Sequence, residues 1–256
     1  MSTVLITGAS SGIGFEFARI MAQDGYDLVL VARRRDELER VAKEFPHRKI
    51  ILIEKDLSLT LSPREVYDEL IKEGIVVDIL INNAGFGDYG YFHETDIEKQ
   101  KQMIDLNIRT LTELTYLFGR DMIERKSGKI LNVASTAAFQ PGPLMSVYYA
   151  TKHYVLAFSE GIAEEWSTFG VTVTALCPGP TESGFQKEAH LESSKLFHGK
   201  KLPTSHEVAQ FGYEALLRGK RVAIHGLMNR IMAWSTHITP NWFLVKIVKW
   251  MQGKRK

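Results

Sequence analysis

Three residues in the middle of the chain, Ser135, Tyr148 and Lys152, have side chains that could move a proton. Tyr148 and Lys152 lie four positions apart in a segment with a helical pattern, and such positions share one face of a helix. A phenol has a reference pKa near ~10, about 3 units above the value that suits a general acid or base at neutrality. A neighbouring ammonium favours the phenolate, and Ser135 can offer a hydroxyl to the same reacting oxygen.

The spacing alone leaves two questions open. Tyr149 and Lys152 lie three positions apart and also share a helical face, so the spacing does not choose between Tyr148 and Tyr149. An ordinary core tyrosine beside a snorkelling lysine would give the same pattern. The elements around the pair are therefore needed to interpret it.

A glycine-rich turn follows the first predicted strand, Val4–Thr7, and precedes a helical pattern that begins at Phe15. Its glycines are Gly8, Gly12 and Gly14. Glycine lets the backbone approach a pyrophosphate, and a helix N-terminus offers free N–H groups and a positive dipole end. The spacing is Gly-x-x-x-Gly-x-Gly, not the Gly-x-Gly-x-x-Gly of the dinucleotide fingerprint, so the position between strand and helix carries the prediction of phosphate binding.

The second predicted strand, Asp27–Ala32, is followed by Arg33, Arg34 and Arg35 before the first acid, Asp36. Dinucleotide sites place the residue that recognises the adenosine ribose at this point. A carboxylate would pair with a 2′-hydroxyl, whereas a guanidinium pairs with a 2′-phosphate. We therefore predict NADP rather than NAD. The alternative is a solvated helix start, although three cations there would oppose the helix dipole.

Further strands are predicted at residues 49–55, 76–81, 129–134, 171–177 and 222–225, with helical segments between most of them. Long apolar strands that alternate with helices indicate a parallel sheet covered on both faces. We predict an α/β fold, a single Rossmann-like doubly wound domain over residues 1–256, with a C-terminal helical extension. The candidate polar residues follow strands, where open α/β sheets bind ligands.

A long helical segment, residues 95–125, carries Asn107 among apolar residues. It predicts a buried amide that holds a water, with a satisfied core asparagine as the alternative. The substrate side is expected at residues 139–145 and at a polar segment of about 185–205, which predicts a lid that orders on binding. Five residues predict an apolar pocket, with plain core positions as the alternative for some of them: Phe86, Phe139, Leu144, Met145 and Phe185.

These stretches together resemble the short-chain dehydrogenase/reductase (SDR) family over roughly residues 3–185. The matching motifs are Thr7 to Gly14, Asp56-Leu57, Asn82-Asn83-Ala84-Gly85, Asn107, Ser135, Tyr148-x-x-x-Lys152 and Pro178-Gly179. The resemblance selects Tyr148 over Tyr149. It implies hydride transfer between a nicotinamide and a carbonyl carbon, with NADPH favouring reduction.

The resemblance also implies a role for each matching residue. Tyr148 exchanges the proton, Ser135 hydrogen-bonds the substrate oxygen, Lys152 bonds the nicotinamide ribose and Asn107 supports a water. The implied cofactor contacts are Gly8, Ser10, Ser11, Gly12, Ile13, Gly14, Arg33, Arg34, Asp56, Leu57, Asn83, Ala84, Gly85, Tyr148, Lys152, Pro178, Gly179, Thr181 and Ser183. We expect an apolar ketone, aldehyde or secondary alcohol as substrate. The alternatives are a 3-oxoacyl or steroid-type reductase and, outside this class, a cofactor-binding regulatory protein without turnover.

The composition is that of an ordinary globular protein, with 45% hydrophobic and 24% charged residues among 256. The single cysteine, Cys177, cannot form an internal disulfide, and we expect no metal site and no nucleic-acid contact. The first predicted strand begins close to Met1, which leaves no room for a cleavable signal, and no apolar run is long enough to span a membrane. We therefore expect a cytoplasmic location.

The C-terminal part, residues 226–256, predicts a basic helical extension with a helix over 240–252. Residues 215–256 hold nine basic and no acidic residues, whereas residues 1–214 carry a net charge of −7. Three of the four tryptophans, Trp234, Trp242 and Trp250, lie here. We expect this helix to pack on the protein or on a second subunit of a homo-dimer or homo-tetramer. The second interpretation is peripheral contact with a membrane surface.

Overall fold

All strands of the computed structural model lie parallel in one sheet, and the structure describes residues 2–189 and 202–253. The strands are β1 Thr3–Thr7, β2 Asp27–Ala32, β3 Ile50–Glu54, β4 Ile79–Asn82, β5 Gly128–Val133, β6 Val171–Cys177 and β7 Val222–Ile224. Their order across the sheet is β3-β2-β1-β4-β5-β6-β7. The chain thus winds outward from β1 in both directions, which confirms the predicted doubly wound, Rossmann-like sheet.

Helices cover both faces of the sheet. They are α1 Gly12–Gln23, α2 Arg35–Glu44, α3 Ser62–Lys72, α4 Ile97–Ile104, α5 Leu111–Glu124, α6 Ser146–Trp166, α7 Phe185–Glu188, α8 Ser205–Leu217, α9 Leu227–Ser235 and α10 Asn241–Gln252. Within these described helices, none is long and apolar enough to cross a membrane.

The core has two main layers because successive strand side chains point to opposite faces of the sheet. Along β1, Val4 and Ile6 pack with α1, α2 and α8, whereas Leu5 between them packs with α3, α5 and α6. All three side chains are fully buried. Burial on both faces explains why the strands appear in the sequence as apolar runs rather than as alternating patterns.

The helix predicted over 95–125 is interrupted. Helix α4 ends at Ile104, a π-helical segment occupies Asp105–Thr110, and α5 begins at Leu111. Such wide turns occur often at functional sites, and this one contains Asn107. The helix predicted over 240–252 begins one residue later, with Pro240 at its N-cap. The predicted lid of about 185–205 lies largely outside the described residues, which resume at Leu202.

Candidate active site

The glycine turn after β1 has the geometry that close backbone approach requires. Gly8 and Gly12 have φ values of +65° and +58°, a left-handed conformation that favours glycine. A Cβ at Gly14 would overlap the Gly8 carbonyl oxygen and the Asn83 amide nitrogen. Helix α1 begins at Gly12, and its N-cap, Ser11, makes no side-chain capping hydrogen bond. The Gly8 and Ala9 N–H groups donate to the Val31 carbonyl, so the N–H groups available to an anion are those at the start of α1, where no side chain of the cap competes for them.

Two side chains, Thr7 at the end of β1 and Asn83 after β4, tie the turn to the loop after β4. The Thr7 hydroxyl accepts hydrogen bonds from the backbone N–H groups of Asn83 and Ala84, both at 3.0 Å. The Asn83 amide donates to the carbonyls of Thr7 at 2.9 Å and Gly8 at 3.2 Å. The Asn83 side chain thus fixes the turn, while Ala84 and Gly85 line the cleft. Thr7 had no role in the sequence prediction, although it opens the motif.

Arg33 and Arg34 lie at the end of β2, where the adenosine ribose is expected. Both residues are exposed and both line the cleft that begins at the glycine turn. Two residues that the sequence analysis did not single out, Glu37 and Arg40 of α2, line the same part of it and form an ion pair at 3.0 Å. Their spacing of three along the helix was the available signal.

Asp56 and Leu57 follow β3 and form the next part of the wall. One Asp56 carboxylate oxygen accepts from the backbone N–H of Ser58 at 2.9 Å and from its hydroxyl at 2.7 Å. The Leu57 carbonyl accepts a hydrogen bond from the hydroxyl of Thr110, which lies in the π-helical segment. The loop after β3 is therefore tied to the segment that contains Asn107.

Ser135 and Tyr148 meet at the far end of the cleft. The Ser135 hydroxyl accepts from the Ala137 N–H at 3.1 Å and lies 3.4 Å from the Pro178 carbonyl, to which it donates. Burial raises the pKa of Tyr148 above its ordinary value, while a hydrogen bond with the Ser135 side chain acts in the opposite direction. The direction is the reverse of the lowering expected from the sequence, because burial outweighs the neighbouring groups. The phenol is consequently protonated at neutral pH.

Lys152 lies beside this phenol, with its ammonium 5.8 Å from the centre of the Tyr148 ring. Its side chain is 6% exposed and donates to the Val133 carbonyl at 2.8 Å. Burial lowers the pKa of Lys152 to about 8, because a charged ammonium loses its hydration there. At pH 7 the group is still mostly protonated.

Asn107 is 1% exposed, and its amide is fully engaged. The amide nitrogen donates to the Phe86 carbonyl at 3.0 Å and to the Thr151 hydroxyl at 3.1 Å. The amide oxygen accepts from the Phe86 N–H at 3.2 Å. These bonds join the π-helical segment to the loop after β4 and to α6, next to Lys152. The Asn107 side chain therefore holds neighbouring segments together, as in the alternative interpretation of a core asparagine with satisfied hydrogen bonds. A bound water would have to hydrogen-bond with atoms outside this amide.

The two neighbouring tyrosines have different partners. Tyr149 accepts a hydrogen bond from the side-chain amide of Gln252 in α10. Burial raises the pKa of Tyr149 to about 12. Tyr148 instead interacts with Ser135 and Lys152. This distinction depends on Gln252, which lies 103 residues away from Tyr149, and the spacing within the motif could not reveal it.

The loop after β6 closes the cleft beside Ser135. Pro178, Gly179, Thr181 and Ser183 all line it. The Thr181 hydroxyl donates to the Gly179 carbonyl at 2.9 Å, and Ser183 accepts from the Phe185 N–H at 3.3 Å. Cys177, immediately before the loop, is buried, and burial raises the pKa of its thiol to about 12, so it is not a candidate nucleophile.

Three of the five predicted pocket residues, Phe86, Met145 and Phe185, line the cleft. Phe139 lies instead on a separate cavity between the 139–146 loop and α10. Leu144 lines neither cavity, and its carbonyl accepts the Gly90 N–H at 2.9 Å.

Gly87 is a further residue at this end that the sequence analysis did not single out. A Cβ there would lie 2.8 Å from the Phe185 ring and 3.2 Å from the Tyr148 ring. Because Gly87 has no Cβ, the rings of Phe185 and Tyr148 can approach the loop after β4. The available signal was its place two residues after Gly85 in the strand-end motif.

One continuous cleft of about 1220 Å³ joins these parts, from Arg33 and Arg34 past the glycine turn to Ser135 and Tyr148. The order of its groups suits a dinucleotide: guanidiniums at one end, a glycine turn in the middle and a phenol with an ammonium at the other. At Gly8 and Gly14 a Cβ would lie within 3 Å of neighbouring atoms, so the backbone there is closely packed. Among the described residues there is no cluster of His, Cys, Asp and Glu that could hold a metal ion.

The sequence of the chain matches the family model for short chain dehydrogenases over residues 2–193. The chain belongs to the short-chain dehydrogenase family. The predicted family resemblance is thereby confirmed, and the members of this family are oxidoreductases that use nicotinamide cofactors and bind small substrates.

Two human members of the SDR family are similar in sequence. Dehydrogenase/reductase SDR family member 7 is 36% identical over 187 residues, which are 70% of this chain and 55% of that protein. Very-long-chain 3-oxoacyl-CoA reductase is 34% identical over 181 residues, which are 68% of this chain and 57% of that protein. The chain therefore matches little more than half the length of these relatives.

A solved structure of the same family covers nearly the whole chain. The short-chain dehydrogenase from Sphingobium yanoikuyae in complex with NADPH is 31% identical, with a TM-score of 0.83, and the match covers 93% of this chain and 94% of that one. That protein has the same fold and was solved with NADPH bound, which supports the assignment of the cleft to a nicotinamide cofactor.

Proposed function

We propose that the protein is an NADP-dependent oxidoreductase that interconverts an apolar carbonyl compound and its alcohol. One observation carries the proposal: the arginine pair, the glycine turn and the Ser135, Tyr148 and Lys152 group line a single cleft. Each group alone has another explanation, but their order along the cleft is the order of the parts of a dinucleotide followed by its substrate.

The preference for NADP rests on Arg33 and Arg34. Both exposed guanidiniums line the cleft at the carboxyl end of β2, where a 2′-phosphate would lie. A charge-assisted hydrogen bond from either would favour the phosphate over a 2′-hydroxyl. The NADPH complex of the related Sphingobium yanoikuyae enzyme supports this choice.

The proton chemistry is assigned to Tyr148. A nicotinamide cofactor in the cleft would supply or accept the hydride. Because burial raises the pKa of Tyr148, its phenol holds a proton at neutral pH and can donate it to a substrate oxygen during reduction. Ser135 lies beside that phenol and could turn its hydroxyl from the Pro178 carbonyl to the same substrate oxygen. The Lys152 ammonium, close to the ring, stabilises the phenolate that remains.

Asn107 is a positioning residue in this proposal. Its amide joins the Phe86 backbone to Thr151 of α6, one residue before Lys152. It thereby holds the loop after β4 against the helix that carries Tyr148 and Lys152. The water that the family resemblance assigns to it would need its backbone rather than its engaged side chain.

An apolar substrate is proposed because Phe86, Met145 and Phe185 line the end of the cleft next to Tyr148. The Phe185 ring lies 5.4 Å from the Tyr148 ring. A 3-oxoacyl thioester is the second candidate, since the chain is 34% identical to human very-long-chain 3-oxoacyl-CoA reductase over the matched segment. A steroid-type ketone belongs to the same class and is included in the test.

The test is a titration of the protein with NADPH and NADH, followed by turnover with apolar ketones, aldehydes, 3-oxoacyl thioesters and steroid ketones. We expect tighter binding of NADPH and its oxidation by one of these classes. Tyr148→Phe should lower kcat by at least about 100-fold with the Kd for NADPH nearly unchanged, because only proton transfer is lost. Tyr149→Phe, the matched control, should retain turnover.

Two outcomes contradict the proposal. Equal affinity for NADPH and NADH would remove the role of the arginine pair. Tight NADPH binding without turnover, unaffected by Tyr148→Phe, would favour a cofactor-binding regulatory protein. Cytoplasmic location and a homo-dimeric or homo-tetrameric state are also proposals, to be tested by cell fractionation and by sedimentation of the pure protein.

A further inference from the structure

The last two helices expose an unusual number of large apolar side chains. Scattered apolar residues are normal on protein surfaces, but a concentration of them marks a contact site. Seven such side chains on these helices and the turn between them are between 51% and 72% exposed, and we call them the C-terminal apolar surface: Leu227, Met228, Ile231, Trp234, Ile238, Trp242 and Trp250. Helices α9 and α10 are joined by five residues, which can span at most roughly 18 Å, so the end of α9 lies close to the start of α10.

Both helices are fixed to the body by their other faces. In α10, Leu244 and Val248 are buried, and the Gln252 side chain reaches Tyr149. The Gln252 carbonyl accepts a hydrogen bond from the Tyr89 hydroxyl at 2.7 Å. In α9, the Asn229 amide lies so close to the loop after β6 that a Cβ at Gly179 would overlap it. The exposed tryptophans therefore lie on helices that are packed against the body of the protein.

Basic side chains lie among the exposed aromatic ones. Lys246 and Lys249 are exposed on α10, and the Lys246 ammonium lies 5.5 Å from the centre of the Trp242 ring. At helical spacing, Trp242, Lys246 and Trp250 follow one another at intervals of four residues on the outward face. In sequence, residues 215–256 hold nine basic and no acidic residues. Arg218 and Arg221 of this set pair with Glu214 and Glu164, so the positive charge on the last two helices comes from Arg230, Lys246 and Lys249.

We propose that the C-terminal apolar surface docks on a membrane that contains anionic lipids. Tryptophan favours the boundary between headgroups and acyl chains, and lysine can reach from an apolar surface to the phosphate level. An amphipathic helix with both types binds in the plane of this boundary. The basic residues of the two helices supply the charge complementarity to the anionic lipids.

A second copy of the chain is the less favourable occupant. A two-fold contact would place the same surface on itself, so that Lys246 and Lys249 would oppose the lysines of the partner. Like charges in an interface oppose association. Acidic side chains that could compensate them are absent from residues 215–256.

Helix α10, once bound to the membrane, would lie beside the substrate end of the cleft. The buried residue Val248 of α10 belongs to one apolar cluster with Met145 and Ala189, and Tyr148 and Phe185 pack against that cluster. Met145, Tyr148 and Phe185 also line the cleft. This arrangement suits a substrate dissolved in the bilayer. That inference about the substrate rests on the proposed function, whereas the proposed docking on a membrane is independent of it.

The test measures binding of the full chain to vesicles of neutral phosphatidylcholine and to vesicles that also contain phosphatidylserine. Co-sedimentation gives the affinity, and a blue shift of tryptophan fluorescence reports burial of the exposed tryptophans. A basic residue near an anionic surface contributes about fivefold to affinity, so Lys246→Gln with Lys249→Gln should weaken binding to the anionic vesicles about 30-fold. Trp242→Ser with Trp250→Ser should reduce the blue shift to the part that Trp234 contributes and weaken binding at least about tenfold.

Matched controls change the same residue types elsewhere. Lys43→Gln with Lys72→Gln and Leu59→Ser with Leu61→Ser alter exposed residues of the body and should bind like the parent protein. Circular dichroism and thermal unfolding establish that every variant is folded. Absence of binding to anionic vesicles, equal binding to both vesicle types, or equal loss in the control variants would overturn the proposal. So would self-association without lipid that the tryptophan variant abolishes, since the surface would then bind a second copy.

Discussion

Lys152 should make the stability of the protein depend on pH in an unusual direction. Burial lowers its pKa from 10.5 to about 8 in the folded chain, whereas the unfolded chain keeps an ordinary lysine. Between these two values the unfolded state binds one more proton than the native state, so the free energy of unfolding rises with pH. The difference between the two pKa values corresponds to about 3 kcal/mol of stability, which is present above pH 10.5 and lost as the pH falls through about 8.

The perturbation that isolates this effect is Lys152→Met, which keeps the apolar stem of the side chain and removes the ammonium. Urea unfolding of the parent and the variant at pH 7, 8, 9 and 10 gives the difference in free energy of unfolding. All other titrating groups are common to both proteins and largely cancel. Between pH 8 and pH 10, we expect the free energy of unfolding of the parent to rise relative to that of the variant by about 1.4 kcal/mol per pH unit.

Loss of the hydrogen bond to the Val133 carbonyl adds a constant offset, which does not alter the slope. Lys72→Met, at an exposed position near the end of α3, is the control and should give a difference independent of pH. A difference for Lys152→Met that is equally independent of pH would refute the reasoning, because Lys152 would then keep its ordinary pKa in the native state. A slope of opposite sign would mean that the folded site stabilises the ammonium.

Three further perturbations test other parts of the site. Replacing Arg33 and Arg34 by Ser should raise the Kd for NADPH about 10- to 100-fold and leave the Kd for NADH unchanged in a fluorescence titration, because only the 2′-phosphate loses its partners. Asn107→Ala should lower the free energy of unfolding in urea by about 2–4 kcal/mol, since the Phe86 backbone loses both hydrogen bonds; an unchanged midpoint would contradict the bracing role. Gly14→Ala should weaken NADPH binding at least about tenfold by calorimetry, because the new Cβ meets the Gly8 backbone, whereas Gly161→Ala, where nothing lies within 4 Å, should bind normally.

The sequence was sufficient for the sheet and for the edge where the site lies. Strands buried on both faces appear as apolar runs, and β2 and β6 begin and end at the predicted residues. Once the strands are parallel, residues that follow them, such as Gly8, Arg33 and Ser135, must lie at one edge. Helix α8 was not predicted, although Thr204 and Glu207 form a capping box that was visible in the sequence.

The finer parts of the site depend on contacts between distant residues, which local patterns do not contain. The Asn83 amide is engaged by the glycine turn, 75 residues earlier in the chain. Burial raises the pKa of Tyr148, whereas the spacing between Tyr148 and Lys152 had suggested that this pKa would be lowered. Phe139 has the apolar character of a pocket residue, but its position after β5 directs it to another cavity.

Two unusual features lie along the cleft. Lys152 is charged in an apolar environment, and a π-helical segment interrupts the helix at Asn107. Such features persist only where well-packed surroundings impose them, and perturbed titrating groups and π-helical turns occur preferentially at functional sites. The two apolar layers of the sheet lie directly behind them and supply that support. Their coincidence at one sheet edge is therefore a physical argument for catalysis that is independent of the family relationship.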